Sequence, residues 1–140
     1  MRRSRRKRDA GMLAIDTNII VRYLVGDDPN QARRAKALVD GAAVFVATTT
    51  LLEAEWVLRR AVGYATADTL AALKAFVGLD NVTLEDEALV AQAFDWAERG
   101  MDFADALHLA KTADCEAFIS FDRNLAKAAR RFGAIAVKEP

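Results

Sequence analysis

Short apolar runs and longer amphipathic stretches alternate along the chain. Apolar runs predict buried strands at residues 12–15, 43–47, 117–121 and 134–137, and residues 82–84 allow a further short strand. Helical periodicity predicts helices at 18–25, 31–39, 51–62, 66–77, 85–99, 103–113 and 122–131. Strands that alternate with helices need crossover connections, which give a parallel sheet covered on both faces. The pattern therefore predicts an α/β fold, a three-layer α/β/α sandwich around a central, mostly parallel sheet.

Several predicted helices begin with residues that suit a helix start. Pro29 fits the first turn of the second helix, and Asp102 is the expected N-cap of the helix at 103–113. Thr48, Thr49 and Thr50 are the N-cap candidates for the helix at 51–62.

Composition favours one globular domain of 140 residues that is 53% hydrophobic and 29% charged. No apolar run approaches the roughly 20 residues that cross a bilayer. The single cysteine, Cys115, cannot form an internal disulfide, so we expect a cytoplasmic protein that does not associate with membranes.

A net charge of zero hides an uneven distribution. Residues 1–11 hold six of the twenty basic residues and one acidic residue, which leaves residues 12–140 with a formal charge of −5. We therefore separate a basic extension, 1–11, from a domain at 12–140. The extension has three interpretations: an artefact of an upstream start codon with Met12 as the natural start, a solvated disordered arm, or a basic arm that contacts phosphates.

Several kinds of active site lack their sequence signals. The chain has no glycine-rich dinucleotide fingerprint, no P-loop and no nucleophile elbow. His108 is the only histidine, which excludes a histidine-based metal cluster, and we expect its side chain to pack near the core. Cys115 is expected to be a small buried hydrophobe rather than a nucleophile.

Two acidic residues directly follow predicted strands. Asp16 comes after the first strand, and Asp122 follows the apolar run at 117–121. Because sites in parallel sheets form at the carboxyl ends of the strands, neighbouring strands would bring these carboxylates together. The simpler alternative for each is an N-cap of the helix that follows.

The helix at 51–62 contains two glutamates with different predicted roles. Glu53 shares a face with Trp56, Val57 and Arg60, which predicts an acid on an apolar stripe. Its alternative role is an ion pair with Arg60. Glu55 precedes Arg59 by four residues and is predicted to form a surface ion pair with it.

Asp105 lies in the first turns of the helix at 103–113 and has no Lys or Arg three or four residues away. Its alternative role is a favourable interaction with the helix N-terminus, worth about 0.3–1 kcal/mol. Asp16, Glu53, Asp105 and Asp122 thus all lie where a parallel sheet gathers its loops. Clustered carboxylates repel unless a cation neutralises them. An all-oxygen site suits Mg²⁺ or Mn²⁺, which can activate water against a phosphodiester.

Four segments contain these acids: IDTNIIVRYL (15–24), TTTLLEAEWVLRRAVG (48–63), DFADALHLA (102–110) and FISFDRNLAKAA (118–129). Together and in this order they resemble the PIN-domain ribonucleases, and specifically the VapC-type toxins of toxin–antitoxin pairs. The resemblance implies a PIN-like fold, a homodimer and Mg²⁺-dependent endonucleolytic cleavage of RNA, often a structured tRNA or rRNA. It also implies a VapB-type antitoxin as partner.

The resemblance assigns roles to individual residues. Asp16, Glu53, Asp105 and Asp122 would be the metal-binding and catalytic acids. Asn18 would orient the first carboxylate or a water. The basic extension departs from the family pattern.

Basic residues beside the acids are candidates for guiding RNA phosphates. Arg123, Lys127 and Arg130 share one face of the helix at 122–131, and the alternative is an ordinary solvated face. Trp56 and Trp96 are expected in the core, with a dimer or antitoxin surface as the alternative.

Two other functions remain open. A phosphohydrolase for small phosphoesters would want a second carboxylate in the first motif, where Asp16, Thr17 and Asn18 supply only one. A catalytically silent binding module is the other, and the presence of all four acids argues against it.

Overall fold

The computed structural model describes residues 11–140. Residues 1–10 lie outside the described part, so the structure does not distinguish the three interpretations of the basic extension. The chain divides into two compact units, Met1–Glu85 and Asp86–Pro140, called unit 1 and unit 2 here. Among the described residues, no helix combines the length and the apolar character that crossing a bilayer requires.

Unit 1 is built on a three-stranded parallel sheet. Its strands are β1 (Leu13–Ala14), β2 (Val44–Val46) and β3 (Val82–Leu84), in the order β1-β2-β3. The helices are α1 (Thr17–Val25), α2 (Pro29–Gly41), α3 (Thr48–Trp56), a π-helical segment (Val57–Val62) and α4 (Thr66–Val77). All three residues of β2 are buried, as expected for a central strand whose sequence is an apolar run.

Local sequence explains the start of α2 and the end of α1 in unit 1. Asp28 caps α2 by accepting a hydrogen bond from the Gln31 backbone N–H at 3.1 Å, and Pro29 opens that helix. Gly26 ends α1 with a φ of 69°, a left-handed conformation that glycine adopts without strain.

The start of α3 differs from the prediction. The helix begins at Thr48, so the three threonines lie inside it and do not cap it. The Thr48 backbone N–H instead donates to Oε1 of Glu85 at 2.9 Å. Glu85 in turn lies before α5, in contrast to its predicted place in a helix at 85–99. The reason is that Glu85 continues the pairing of β3, with its N–H donating to Val46 O at 3.1 Å.

Unit 2 contains three helices and a two-stranded parallel sheet. These are α5 (Glu87–Glu98), α6 (Phe103–Lys111), β4 (Phe118–Ile119), α7 (Arg123–Phe132) and β5 (Val137–Lys138). Helices α5 and α6 pack against each other, and the Phe94 and Phe103 rings stack with centroids 5.4 Å apart. Trp96 is buried in this unit, which confirms its predicted core position.

The α/β class and the parallel strand pairing are confirmed. Every strand pair in residues 11–140 is parallel, and each sheet is accompanied by helices that precede or follow its strands. The hydrogen-bonded strands fall into two sheets, one in each unit. Four of the strands are shorter than the apolar runs that predict them, whereas β3 has the predicted bounds, Val82–Leu84.

Candidate active site

Asp16 stands where β1 ends and α1 begins. The Ile15 N–H still donates to Phe45 O at 3.1 Å, and the next residue, Asp16, is the N-cap of α1. Its Oδ1 accepts a hydrogen bond from the Thr17 N–H at 2.8 Å. The side chains of Asp16 and Asn18 are exposed. Asp16 is therefore the N-cap of α1 through its Oδ1 atom, as the simpler alternative predicts. Because the side chain is exposed, it can also bind a ligand.

Glu53 is exposed on α3, and the predicted apolar stripe around it is wrong. Trp56 is 55% exposed and Arg60 is also exposed. The buried side of this helical stretch is formed instead by residues spaced three or four apart: Leu51, Ala54, Glu55 and Leu58. The core therefore lies on the neighbouring face, and the predicted core position of Trp56 is wrong. Within the described residues no ion pair joins Glu53 to Arg60.

The ion pair between Glu55 and Arg59 is confirmed, and its predicted surface position is wrong. Arg59 Nε lies 2.8 Å from Glu55 Oε1. The Glu55 side chain is only 3% exposed, because its helical position coincides with the buried face of α3. This carboxylate is neutralised inside unit 1.

Glu85 is an acid at the sheet edge that the sequence reasoning missed. It follows β3 as Asp16 follows β1, and its carboxylate caps α3, the helix that carries Glu53. The available signal was its position directly after the strand at 82–84. The capping bond spans 37 residues, so no local pattern could show it.

In unit 2, Asp102 caps the helix that carries Asp105, and the candidate acid Asp122 itself caps α7. Asp102 Oδ2 accepts from the Asp105 N–H at 3.1 Å, which confirms the predicted cap of α6. Asp122 Oδ1 accepts from the Leu125 N–H at 3.0 Å, and the Asp122 N–H donates to Ser120 Oγ at 3.0 Å. Asp122 is exposed, and Asp105 is half-buried in the first turn of α6.

Unit 2 brings Asp105 and Asp122 into electrostatic contact. Partial burial is the main cause that raises the pKa of the Asp105 carboxyl above its ordinary value. The negative charges of Asp102 and Asp122 raise this pKa further, and His108 lowers it. A carboxyl group with a raised pKa and two acidic neighbours is typical of a functional site.

His108 and Cys115 differ from their predictions. His108 is exposed rather than packed in the core, and its ring stacks on Phe118 with centroids 6.2 Å apart. The buried residues of α6 are Phe103, Ala106, Leu107 and Leu109, so His108 lies off the core face. Cys115 is exposed in the turn after α6 instead of buried.

The donor set of the candidate acids is made of carboxylate oxygens, the ligands that Mg²⁺ and Mn²⁺ prefer. Within residues 11–140, no three or more Asp, Glu, His or Cys side chains are grouped so that they could hold a metal ion. Unit 1 supplies Asp16, which follows β1 and caps α1, and Glu53, which lies on α3. Helices α1 and α3 pack against each other. Unit 2 supplies Asp105 and Asp122. Proteins often hold Mg²⁺ with one or two carboxylates, together with waters and substrate phosphates. The chemical type of the candidate residues therefore fits such an ion.

The three basic candidates on α7 are all exposed. Arg123 pairs with Glu139 at 3.2 Å, whereas Lys127 and Arg130 form no ion pair within the described residues. Their contact with RNA stays a prediction.

Comparison with known proteins gives a family. The sequence pattern of the PIN domain matches residues 13–131, which covers most of both units. Ten chains of solved structures match, among them VapC20 of Mycobacterium tuberculosis, described as a sarcin-ricin loop cleaving toxin. That match has 23% sequence identity and a TM-score of 0.41, and it covers 84% of this chain and 94% of VapC20. No curated protein matches the sequence significantly. The PIN-domain match over residues 13–131 shows that this chain belongs to the PIN-domain family.

Proposed function

We propose that the protein is a metal-dependent endoribonuclease that hydrolyses RNA phosphodiester bonds and acts as the toxin of a toxin–antitoxin pair. The observation that carries the proposal is the state of Asp105, a half-buried acid whose pKa is raised mainly by its burial and further by the charges of Asp102 and Asp122. An enzyme keeps such a repulsive arrangement when a cation or a proton is part of its chemistry. Membership of the PIN-domain family supports the same function.

The proposed metal ligands are Asp16, Glu53, Asp105 and Asp122, and the proposed ion is Mg²⁺ or Mn²⁺. When bound, such an ion activates a water molecule and stabilises the leaving oxygen of a phosphodiester. A bound cation would favour the charged form of Asp105 and lower its raised pKa. Asp122 and Asp16 each use one oxygen as a helix cap, which fixes the orientation of the carboxyl group.

Asn18 has a supporting role in this proposal. Its amide can donate to a carboxylate or to a water without adding another negative charge. Its position in the first turn of α1, two residues after Asp16, places it beside the first acid.

The partners that we propose are a structured RNA as substrate, a VapB-type antitoxin and a second copy of the chain. The exposure of Trp56, three residues after Glu53 on α3, supports a protein-binding surface near that acid. Large aromatic residues are enriched at the centres of such surfaces.

Cleavage of folded RNA by the purified protein tests the proposed activity. We expect cutting with Mg²⁺ or Mn²⁺, none with EDTA, and at least a roughly 100-fold loss in Asp16→Asn. Asp86→Asn is the matched control, because Asp86 is also an exposed N-cap, with Oδ1 accepting from the Leu89 N–H at 3.1 Å.

Three results would contradict the proposal. Equal cleavage by the wild type and by Asp16→Asn would remove Asp16 from the site. Turnover of small phosphomonoesters without any RNA cleavage would favour the phosphohydrolase alternative, and the absence of Mg²⁺ and Mn²⁺ binding would favour the silent module.

A further inference from the structure

Unit 1 contains an open groove between α1 and α2 with a volume of about 430 Å³. We call it the α1–α2 groove. Small-ligand sites commonly have volumes of about 300–1,000 Å³, so the groove is large enough for one nucleotide-sized group. One of its lining residues is Asn18, which lies beside the candidate catalytic acid Asp16.

The two helices line the groove with residues at helical spacing. On α2, Gln31, Arg34 and Leu38 occur three and four residues apart, so they share one face. On α1, Arg22 lies one turn after Asn18, which places its side chain on the Asn18 face of the helix. The groove thus carries polar and basic groups along its length, starting at the candidate active site.

Arg22 is held in a defined orientation. Its Nε donates to Gln31 Oε1 at 2.8 Å, and its NH1 lies 2.5 Å from Asp27 Oδ1. These two bonds tie α1 to α2 and to the turn between them. A guanidinium fixed in this way can present its remaining N–H groups to an anion with little further ordering.

Arg34 supplies positive charge that no carboxylate among residues 11–140 pairs with. Its side chain is exposed, and it forms no ion pair or hydrogen bond within residues 11–140. No carboxylate is among the residues that line the groove. The apolar part of the lining, from Ile19, Ala35 and Leu38, provides a surface for a sugar or a base.

We propose that the α1–α2 groove binds the sugar and phosphate of an RNA nucleotide next to the one that is cleaved. Arg34 contacts the phosphate, and the fixed guanidinium of Arg22 contacts the same phosphate or the ribose. The inference rests on the proposed function, because it takes the RNA substrate as the ligand. These contacts position the strand and carry no base information, so they act on all RNA sequences alike.

Binding of a short labelled RNA to the Asp16→Asn protein, which we expect to cleave RNA far more slowly than the wild type, measures this contact directly. Adding Arg34→Ala is expected to weaken binding about tenfold and to reduce the slope of log K against log salt by about 1. Adding Arg33→Ala instead is the matched control, because Arg33 is the adjacent exposed arginine and does not line the groove. We expect this control to change the affinity less than twofold.

In the active enzyme, Arg34→Ala should raise KM and leave kcat unchanged, as expected for binding that is equal in the ground and transition states. RNA cleavage in which Arg34→Ala behaves like Arg33→Ala would overturn the groove proposal and leave the proposed function standing.

Backbone amide chemical shifts, recorded with adenosine monophosphate as probe, test the groove independently of cleavage. Shifts at residues 18–22 and 31–38 in a protein that cuts no RNA would support the groove and overturn the proposed function. Shifts caused by an acidic peptide and not by the nucleotide would overturn the groove proposal, because the groove would then belong to a protein partner.

Discussion

Asp102 and Asp105 are linked in two opposing ways. Asp102 Oδ2 accepts a hydrogen bond from the Asp105 backbone N–H at 3.1 Å, which stabilises the start of α6. The same Asp102 carboxylate raises the pKa of the Asp105 side chain, in addition to the larger effect of burial. The same residue that caps the helix carrying Asp105 therefore also disfavours the charged form of the Asp105 side chain.

The first prediction concerns pH-dependent stability. The raised pKa of Asp105 contributes stability that is present below the ordinary aspartate pKa of about 4 and is lost as the pH rises through the folded-state value. At neutral pH we therefore expect Asp105→Asn to be more stable than the wild type, with the difference disappearing near pH 4. Thermal unfolding at both pH values measures this. Asp80→Asn, at an exposed turn position, is the control, and an Asp105→Asn variant less stable than the wild type at pH 7 would contradict it.

The second prediction concerns metal binding without catalysis. An ion that binds only the folded state stabilises it by mass action, by about 2.7 kcal/mol at a concentration 100 times its Kd. We expect Mg²⁺ or Mn²⁺ to raise the Tm of the wild type in the absence of RNA and to have much less effect on Asp105→Asn. Unfolding scans with metal and with EDTA provide the comparison. An equal rise in both proteins would place the ion away from Asp105.

The third prediction concerns the ion pair between Glu55, which is buried on α3, and Arg59 of the π-helical segment, which is 23% exposed. Replacing Arg59 by Met leaves the Glu55 carboxylate, 3% exposed, without its partner. Loss of one partner of a buried pair costs about 3–5 kcal/mol, whereas replacing both partners by apolar residues is often neutral. We expect Arg59→Met to unfold at lower denaturant concentration and the double variant with Glu55→Met to recover most of the loss. RNA cleavage per folded molecule should stay unchanged, since neither residue belongs to the proposed site.

The fourth prediction concerns self-association through Trp56. A Trp at the centre of an interface typically contributes at least about 2 kcal/mol to binding, about a 30-fold change in affinity. We expect Trp56→Ala to shift a dimer to monomer in light scattering at micromolar concentration. Trp96→Phe, a change inside the core of unit 2, is the comparison that leaves this surface intact. An unchanged dimer in Trp56→Ala would exclude this surface as the interface.

Local sequence patterns were sufficient for most of the elements. Apolar runs located β2 and β4, and N-cap residues such as Asp102 located the starts of helices, because both signals act within a few residues. The parallel pairing followed from the alternation of strands and helices. The positions after strands and in first helical turns also predict Asp16, Glu53, Asp105 and Asp122 as site residues, and that role stays a prediction.

Contacts between residues that are far apart in the sequence could not be predicted from local patterns. Two adjacent faces of α3 have similar hydrophobicity, and only packing decides that Glu55 is buried and Trp56 exposed. The cap of Thr48 comes from Glu85, so the start of α3 could not be read from the threonines around it. The α1–α2 groove depends on how two helices meet, which periodicity alone does not give.

The hydrogen bond from the Thr48 N–H to Glu85 also affects how α3 opens. A helix capped by its own neighbouring residue frays at its end without disturbing the rest of a protein. Here the acceptor lies 37 residues away, after β3, so the first turn of α3 is held by a side chain from a distant part of the sequence. Hydrogen exchange at the Thr48 amide therefore reports the loss of this long-range contact, in addition to fraying of the helix end itself.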